Sequence, residues 1–183
     1  MAGEGAFERL YAPWRFDYVS SAEQNVGCIF CAAATGGEET LTLVKGERAF
    51  ALLNRFPYTS GHAMVAPLAH AGDFATLDSD TLAELMELAR RVVQALEKVY
   101  HPHGFNVGFN LGEAAGAGIA EHLHLHVVPR WEGDTNFMLV LSNTRVLPES
   151  LDKTWEKLST AFREAAAGAK ARKEECETQR QAK

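Results

Sequence analysis

Three histidines recur at strict two-residue spacing in His122-Leu123-His124-Leu125-His126-Val127-Val128. Side chains alternate faces along a β-strand, so this spacing predicts all three imidazoles on one side and Leu123, Leu125 and Val127 on the other. A helix would scatter the same histidines around its circumference. The aliphatic face can bury against a core, and that pins the register, because a one-residue slip would bury the imidazoles instead. Three adjacent imidazoles are costly as core material, since each brings ring nitrogens that need partners. The run therefore reads as a half-buried strand presenting a row of histidines to a site.

The rest of the composition is that of an ordinary globular chain. At 183 residues with 46% hydrophobic and 23% charged residues, one domain with a real core is expected. A net charge of -6 argues against a general nucleic-acid binder, which would carry a basic face, but leaves room for a nucleotide in a local pocket. No run approaches the ~18 apolar residues of a membrane span. The first residues, with Glu4, Glu8 and Arg9, do not read as a secretory signal. A cytoplasmic location follows as the expectation. Three cysteines, an odd number, fit a reducing compartment and not a disulfide scaffold.

Along the chain, residues 1–27 read as an irregular, aromatic-rich arm (Tyr11, Trp14, Phe16, Tyr18). Leu41–Val44, Ala49–Leu53 and His62–Pro67 read as strands, with a Pro57-containing turn between the last two. From Ser79 or Asp80 to Tyr100 the apolar residues fall on one helical face behind a Ser/Asp cap. Phe105–Leu111 is a strand, Gly112–Gly118 a small-residue loop, and the histidine strand is expected to stop at Pro129. A second helix is expected over Leu151–Ala167, within a 146–168 segment, and a frayed or disordered tail over 169–183. The order predicts an α+β domain with an antiparallel sheet.

The HLHLHVV run, the segment ALLNRFPYTSGHAMVAP, the helix after it and the strand GFNVGFN resemble the histidine-triad (HIT) superfamily of nucleotide hydrolases and transferases. The resemblance covers roughly residues 28–145, which it implies are one HIT domain. GFNLGEAAGAGIAEHLHLHVVPRWEGDTNFM, with LYAPWRFDYV near the start, is similar to the bacterial branch of diadenosine polyphosphate phosphorylases, or ATP adenylyltransferases. One departure stands out. The commoner family loop has Gly-Gln-Ser or Gly-Gln-Thr before the first histidine, where this chain has Ala117, Gly118 and Ile119.

A neutral imidazole is a good nucleophile near neutral pH, its ordinary pKa being about 6.5. With one ring nitrogen donating to a carbonyl, the other aims its lone pair at an α-phosphorus and can form a nucleotidyl-histidine. The resemblance places that role on His124. His126, two residues on, can hydrogen-bond phosphoryl or bridging oxygens, and His62 is expected to join the cluster, stabilising charge on those oxygens. In the Gly112–Gly118 loop, small residues let backbone amides approach a phosphate, which makes Ala117 and Gly118 candidate contacts, although such a loop also reads as a plain turn. Asn110 is a candidate for the phosphate or leaving group. Asn54 is a candidate for ribose hydroxyls by the resemblance, although asparagine beside a turn commonly caps it. Trp131 reads either as a base-stacking surface or as a packed aromatic.

Cys28-Ile29-Phe30-Cys31 has the two-residue gap of a zinc knuckle and needs two further ligands to close a tetrahedral site. The resemblance supplies His70 and His122, implying a structural zinc and no organic cofactor. It further implies a dinucleoside polyphosphate or other purine nucleotide as substrate, with phosphate as acceptor. Other readings stay open: hydrolysis or phosphoramidate cleavage, a catalytic zinc held by the triad itself, and a nucleotide-binding regulator. A homodimer is expected as well. On this reading Leu85, Met86 and Val93 cover the chain's own sheet, and Leu88 and Leu96 are left for a twin.

Overall fold

Alternation along the strands builds two apolar layers, one on each face of a single sheet. The computed structural model describes residues 27–36, 41–135 and 147–181, with side chains described as far as residue 169. The aromatic arm lies outside the described residues. The sheet is antiparallel, in the order β1-β2-β3-β5-β4, from β1 (Thr42–Lys45), β2 (Ala49–Leu53), β3 (Ala63–Pro67), β4 (Gly104–Phe109) and β5 (Leu125–Arg130). Ala49, Ala51, Leu53, Ala63, Val65, Leu125 and Val127 face one way, onto helix α2 (Ser79–Tyr100). Phe50, Leu52, Met64 and Ala66 face the other way, onto Phe30 and Ala34 of a short helix α1 (Ile29–Thr35). Every residue of β2 and β3 is therefore buried, as in a strand covered on both faces.

Helix α2 begins where expected. The Asp78 carboxylate accepts from the Thr81 amide at 2.9 Å, and the helix ends at His101 in the left-handed conformation, φ 47°. Its buried stripe includes Leu85, Leu88, Val92 and Leu96, which corrects the expected partition of this helix. Leu88 and Leu96, assigned to a twin, are 2% and 0% exposed in the chain's own core, while Met86 is 55% exposed. The stripe is wider than a narrow seam, because the helix lies across the middle of the sheet.

Strands β1, β3 and β4 are displaced from their expected ends by one or two residues, β4 stopping at Phe109 and not Leu111, and three differences are larger in consequence. Strand β5 begins at Leu125, so His122 and His124 lie in the irregular approach to it and only His126 is a strand residue. Pro129 does not end the strand, which continues to Arg130. Pairing with β3 stops at Val127, and beyond it β5 is an edge on that side, where proline is tolerated. The last helix, α3, runs from Leu151 to Gln181 and not into a frayed tail at 169. After Gly168 the helix has no proline and, apart from Cys176 and Thr178, consists of Ala, Lys, Arg, Glu and Gln, all good helix formers. Trp155 anchors α3 by donating its indole N–H to the Thr42 carbonyl at 3.0 Å. Among the described residues, no helix is long and apolar enough to cross a membrane.

Candidate active site

Two neighbouring clusters are built from the histidines, and His122 belongs to the first. Cys28 caps α1 and Cys31 lies one turn along it, so both sulfurs sit on the same side. Cys28 Sγ is 3.2 Å from His122 Nδ1, and Cys31 Sγ is 3.6 Å from that atom and 3.3 Å from His70 Nδ1. The ligand atoms of all four residues lie within 4.8 Å of one another. Bonds of about 2.3 Å to sulfur and about 2.0 Å to nitrogen in a tetrahedron place ligand atoms roughly 3.3–3.8 Å apart. His122 Nε2 donates to the Pro67 carbonyl at 2.9 Å, which leaves the Nδ1 lone pair turned towards the thiols. The four residues can hold a metal ion. Burial and the adjacent Cys28 push the Cys31 thiol above its usual range, and burial lowers the basicity of His122.

The loop carrying His70 is stitched to the triad segment. Leu123 N–H donates to the Ala71 carbonyl at 2.7 Å, and a Cβ on Gly72 would come within 2.7 Å of the Ala120 carbonyl. This close approach brings His70 up to His122.

The second cluster is His124, His126 and His62. His124 is 7% exposed, and its Nδ1 lies 2.9 Å from the His122 carbonyl. A carbonyl only accepts, so Nδ1 carries the proton and Nε2 keeps its lone pair. Burial holds the imidazole below its usual pKa, opposed by that backbone hydrogen bond, so the neutral form is favoured. The other two rings are ordered from the turn before β3. Gly61, at φ 85°, makes the turn, and His62 enters the strand fully buried. The Tyr58 amide donates to His62 Nδ1 at 3.1 Å, with the Asn54 side-chain amide at 3.4 Å from the same atom. His62 Nε2 must then carry the proton, which it donates to His126 Nδ1 at 3.0 Å. That fixes the proton of neutral His126 on Nε2. One ring thus offers a lone pair and its neighbour, 4.9 Å away between centroids, offers a donor.

A cleft of about 1150 Å³ opens beside this cluster, with His126, Tyr58, Asn110 and Trp131 on its wall. His124 is not itself on the wall but lies edge-on to His126, ring centroids 4.9 Å apart. Asn110 also ties its loop by donating to the Gly116 carbonyl at 3.4 Å. Asn54 is away from the cleft, and its Oδ1 accepts from the Phe56 amide at 2.9 Å, the turn-capping bond its residue type favours. Ala117 and Gly118 are off the wall too, and the Ala117 amide donates to the Gly112 carbonyl at 3.2 Å. Two participants had no signature in the sequence. Tyr58 fixes the His62 tautomer and stacks on its ring at 4.6 Å, and Phe30 stacks on His124 at 4.7 Å. An aromatic four residues before a histidine in a turn, or inside a Cys-x-x-Cys, is not a signal without the fold.

The HIT domain family model matches residues 37–133. An AP-4-A phosphorylase of Mycobacterium tuberculosis is 38% identical over 164 residues, 85% of this chain and 84% of its own length. An adenosine 5'-monophosphoramidase of Schizosaccharomyces pombe is 25% identical over 138 residues, 75% of this chain and 100% of its own. A crystal structure of a Zn-bound histidine triad family protein from Mycobacterium smegmatis superposes with a TM-score of 0.64 at 29% identity, covering 78% of this chain and 97% of that one.

Proposed function

The chain belongs to the HIT family, and on that premise we propose that it is a nucleotidyltransferase cleaving dinucleoside polyphosphates through a nucleotidyl-His124 intermediate. The observation that carries this reading is the pair of opposed tautomers: Nδ1–H of His124 tied to the His122 carbonyl, and Nδ1 of His126 tied to His62 Nε2–H. His124 Nε2 attacks the α-phosphorus of diadenosine tetraphosphate, the bond to the bridging oxygen breaks, and ATP leaves. His126 Nε2–H hydrogen-bonds the oxygens that gain charge during the displacement. Phosphate then attacks the same phosphorus on the other side of the cycle, releasing ADP and restoring neutral His124.

The AP-4-A phosphorylase relative favours phosphate as acceptor. Trp131 and Asn110, on the cleft wall with His126, are assigned to the nucleotide, and Asn54 to the ribose side through the turn it caps. Ala117 and Gly118 are assigned to phosphate contacts by way of their loop. Cys28, Cys31, His70 and His122 are assigned a structural zinc, whose chemistry is to tie α1 to the triad segment. We place the protein in the cytoplasm as a homodimer, with exposed Met86 and Val107 in place of Leu88 and Leu96 as candidates for the interface.

Product analysis of diadenosine tetraphosphate with and without phosphate tests the reaction. ADP and ATP formed only with phosphate is the expected result. AMP formed without phosphate replaces it with the hydrolase, and preferential cleavage of an adenosine phosphoramidate replaces it with the phosphoramidase. A solution mass of one chain at micromolar concentration removes the dimer.

A further inference from the structure

Phe30 sits between the two cysteines at the start of α1 and is 1% exposed. Its ring lies against the His124 imidazole, centroids 4.7 Å apart and planes 28° from parallel, and reaches the His122 ring at 5.1 Å. The hydrogen bond from His124 Nδ1 to the His122 carbonyl fixes one axis of the imidazole. It leaves rotation about that axis open, and the χ2 torsion of histidine is intrinsically broad. A flat surface packed on the ring removes this second freedom. His126 meets the imidazole at 71°, which is edge contact and does not set its plane.

We infer that Phe30 is a positioning residue that sets the plane of the His124 imidazole, and so the direction of its Nε2 lone pair. The inference rests on the proposed role of His124 and deepens it. Phe30 is fixed by the turn that carries Cys28 and Cys31, so the cysteine cluster braces the nucleophile from two sides. It holds His122, whose backbone carbonyl accepts the hydrogen bond from His124 Nδ1–H, and it holds the segment bearing the stacked phenyl ring.

Phe50 provides the control, because it is fully buried in the same apolar cluster and, among the described residues, stacks on no histidine. Phe30→Leu and Phe50→Leu are compared in the full chain, as purified, with diadenosine tetraphosphate and phosphate. Phe30→Leu is expected to lower kcat about tenfold or more with KM within about twofold, the signature of misaimed reacting atoms. The Phe50→Leu variant should keep kcat within about twofold at a similar loss of stability. In proton NMR the His124 ring signals, shifted upfield by the phenyl face, should move downfield in Phe30→Leu and stay in place in Phe50→Leu. Equal kcat in the two variants, or unmoved His124 signals, overturns the inference. If Phe30→Leu does not fold, cross-relaxation between the Phe30 and His124 ring protons of the unmodified chain decides, and its absence overturns the inference. If the unmodified chain turns over no dinucleotide, the proposed function fails, while the NMR arm still decides whether Phe30 sets the ring.

Discussion

Replacing His62 by leucine removes the middle of a three-part chain: Tyr58 N–H to His62 Nδ1, then His62 Nε2–H to His126 Nδ1, at 3.1 Å and 3.0 Å. Leucine fills a comparable apolar volume, so the cavity left behind is small. The Tyr58 amide loses its acceptor on His62, a part-buried bond at an exposed residue, which costs about 0.5–1.5 kcal/mol. At about 2–4 °C per kcal/mol for a chain of this size, Tm should fall by roughly 1–6 °C. The effect on chemistry is separable from that. Without a donor at its Nδ1, His126 is free to exchange tautomers, and part of the population no longer presents a donor to the phosphate. Loss of an orienting partner of this kind typically costs about 10–100-fold in activity. His62→Gln, which can donate from its amide to His126 and accept from Tyr58, should recover part of the loss. The assay is kcat on diadenosine tetraphosphate for both variants, with calorimetry and nitrogen-15 NMR of the His126 tautomer. If His62→Leu turns over within twofold of the unmodified protein and His126 keeps its proton on Nε2, the relay does not order the site.

The remaining expectations concern the nucleophile, the metal, a turn and a carboxylate. His124→Ala should abolish turnover, by about 10³-fold or more, while melting close to the unmodified chain; near-normal rates would exclude a covalent His124 intermediate. Metal analysis should find about one zinc per chain, and Cys28→Ser should lower stability and metal content together; no zinc, with both thiols freely titratable in the folded protein, would remove the site. Gly61→Ala should cost about 1–3 kcal/mol by denaturant melting, because Gly61 has φ 85° and an added Cβ would meet Leu96 Cδ2 at 2.6 Å; an unchanged midpoint would show that the turn relaxes freely. The Asp134 carboxyl, hydrogen-bonded by Arg130 Nε at 2.5 Å and Nη2 at 2.9 Å, is held down to about 2. A depressed pKa means the fork contributes stability above the ordinary carboxylate range and loses it as pH falls through about 2, so an NMR titration of Asp134 with a midpoint near 4 would contradict it.

Features set by near neighbours were legible in the chain. Helix α2 stands where apolar periodicity puts it and strand β2 where a short continuous apolar run does, because both signals depend on residues within a few positions of one another. The family, too, was carried by local runs, the histidine spacing above all. The cysteine pair announced a metal-type cluster by its gap, although the short helix that carries it was not foreseen. The structure decided how each histidine is held. Three equally spaced imidazoles look equivalent in a strand, yet His122 turns to the cysteines because the Pro67 carbonyl, 55 residues away, holds its Nε2 proton. His126 becomes a donor because His62, 64 residues away, takes the other nitrogen. Which side of α2 meets the sheet was likewise settled by packing, since Leu88 and Met86 are both apolar and only contact with the strands separates them. A ring nitrogen's proton and a helix's buried stripe depend on groups distant in sequence. The sequence by itself determined which imidazoles and thiols the chain would offer, and the tertiary structure decided which ring nitrogen keeps its lone pair, which carries its proton and which lies beside the cysteines.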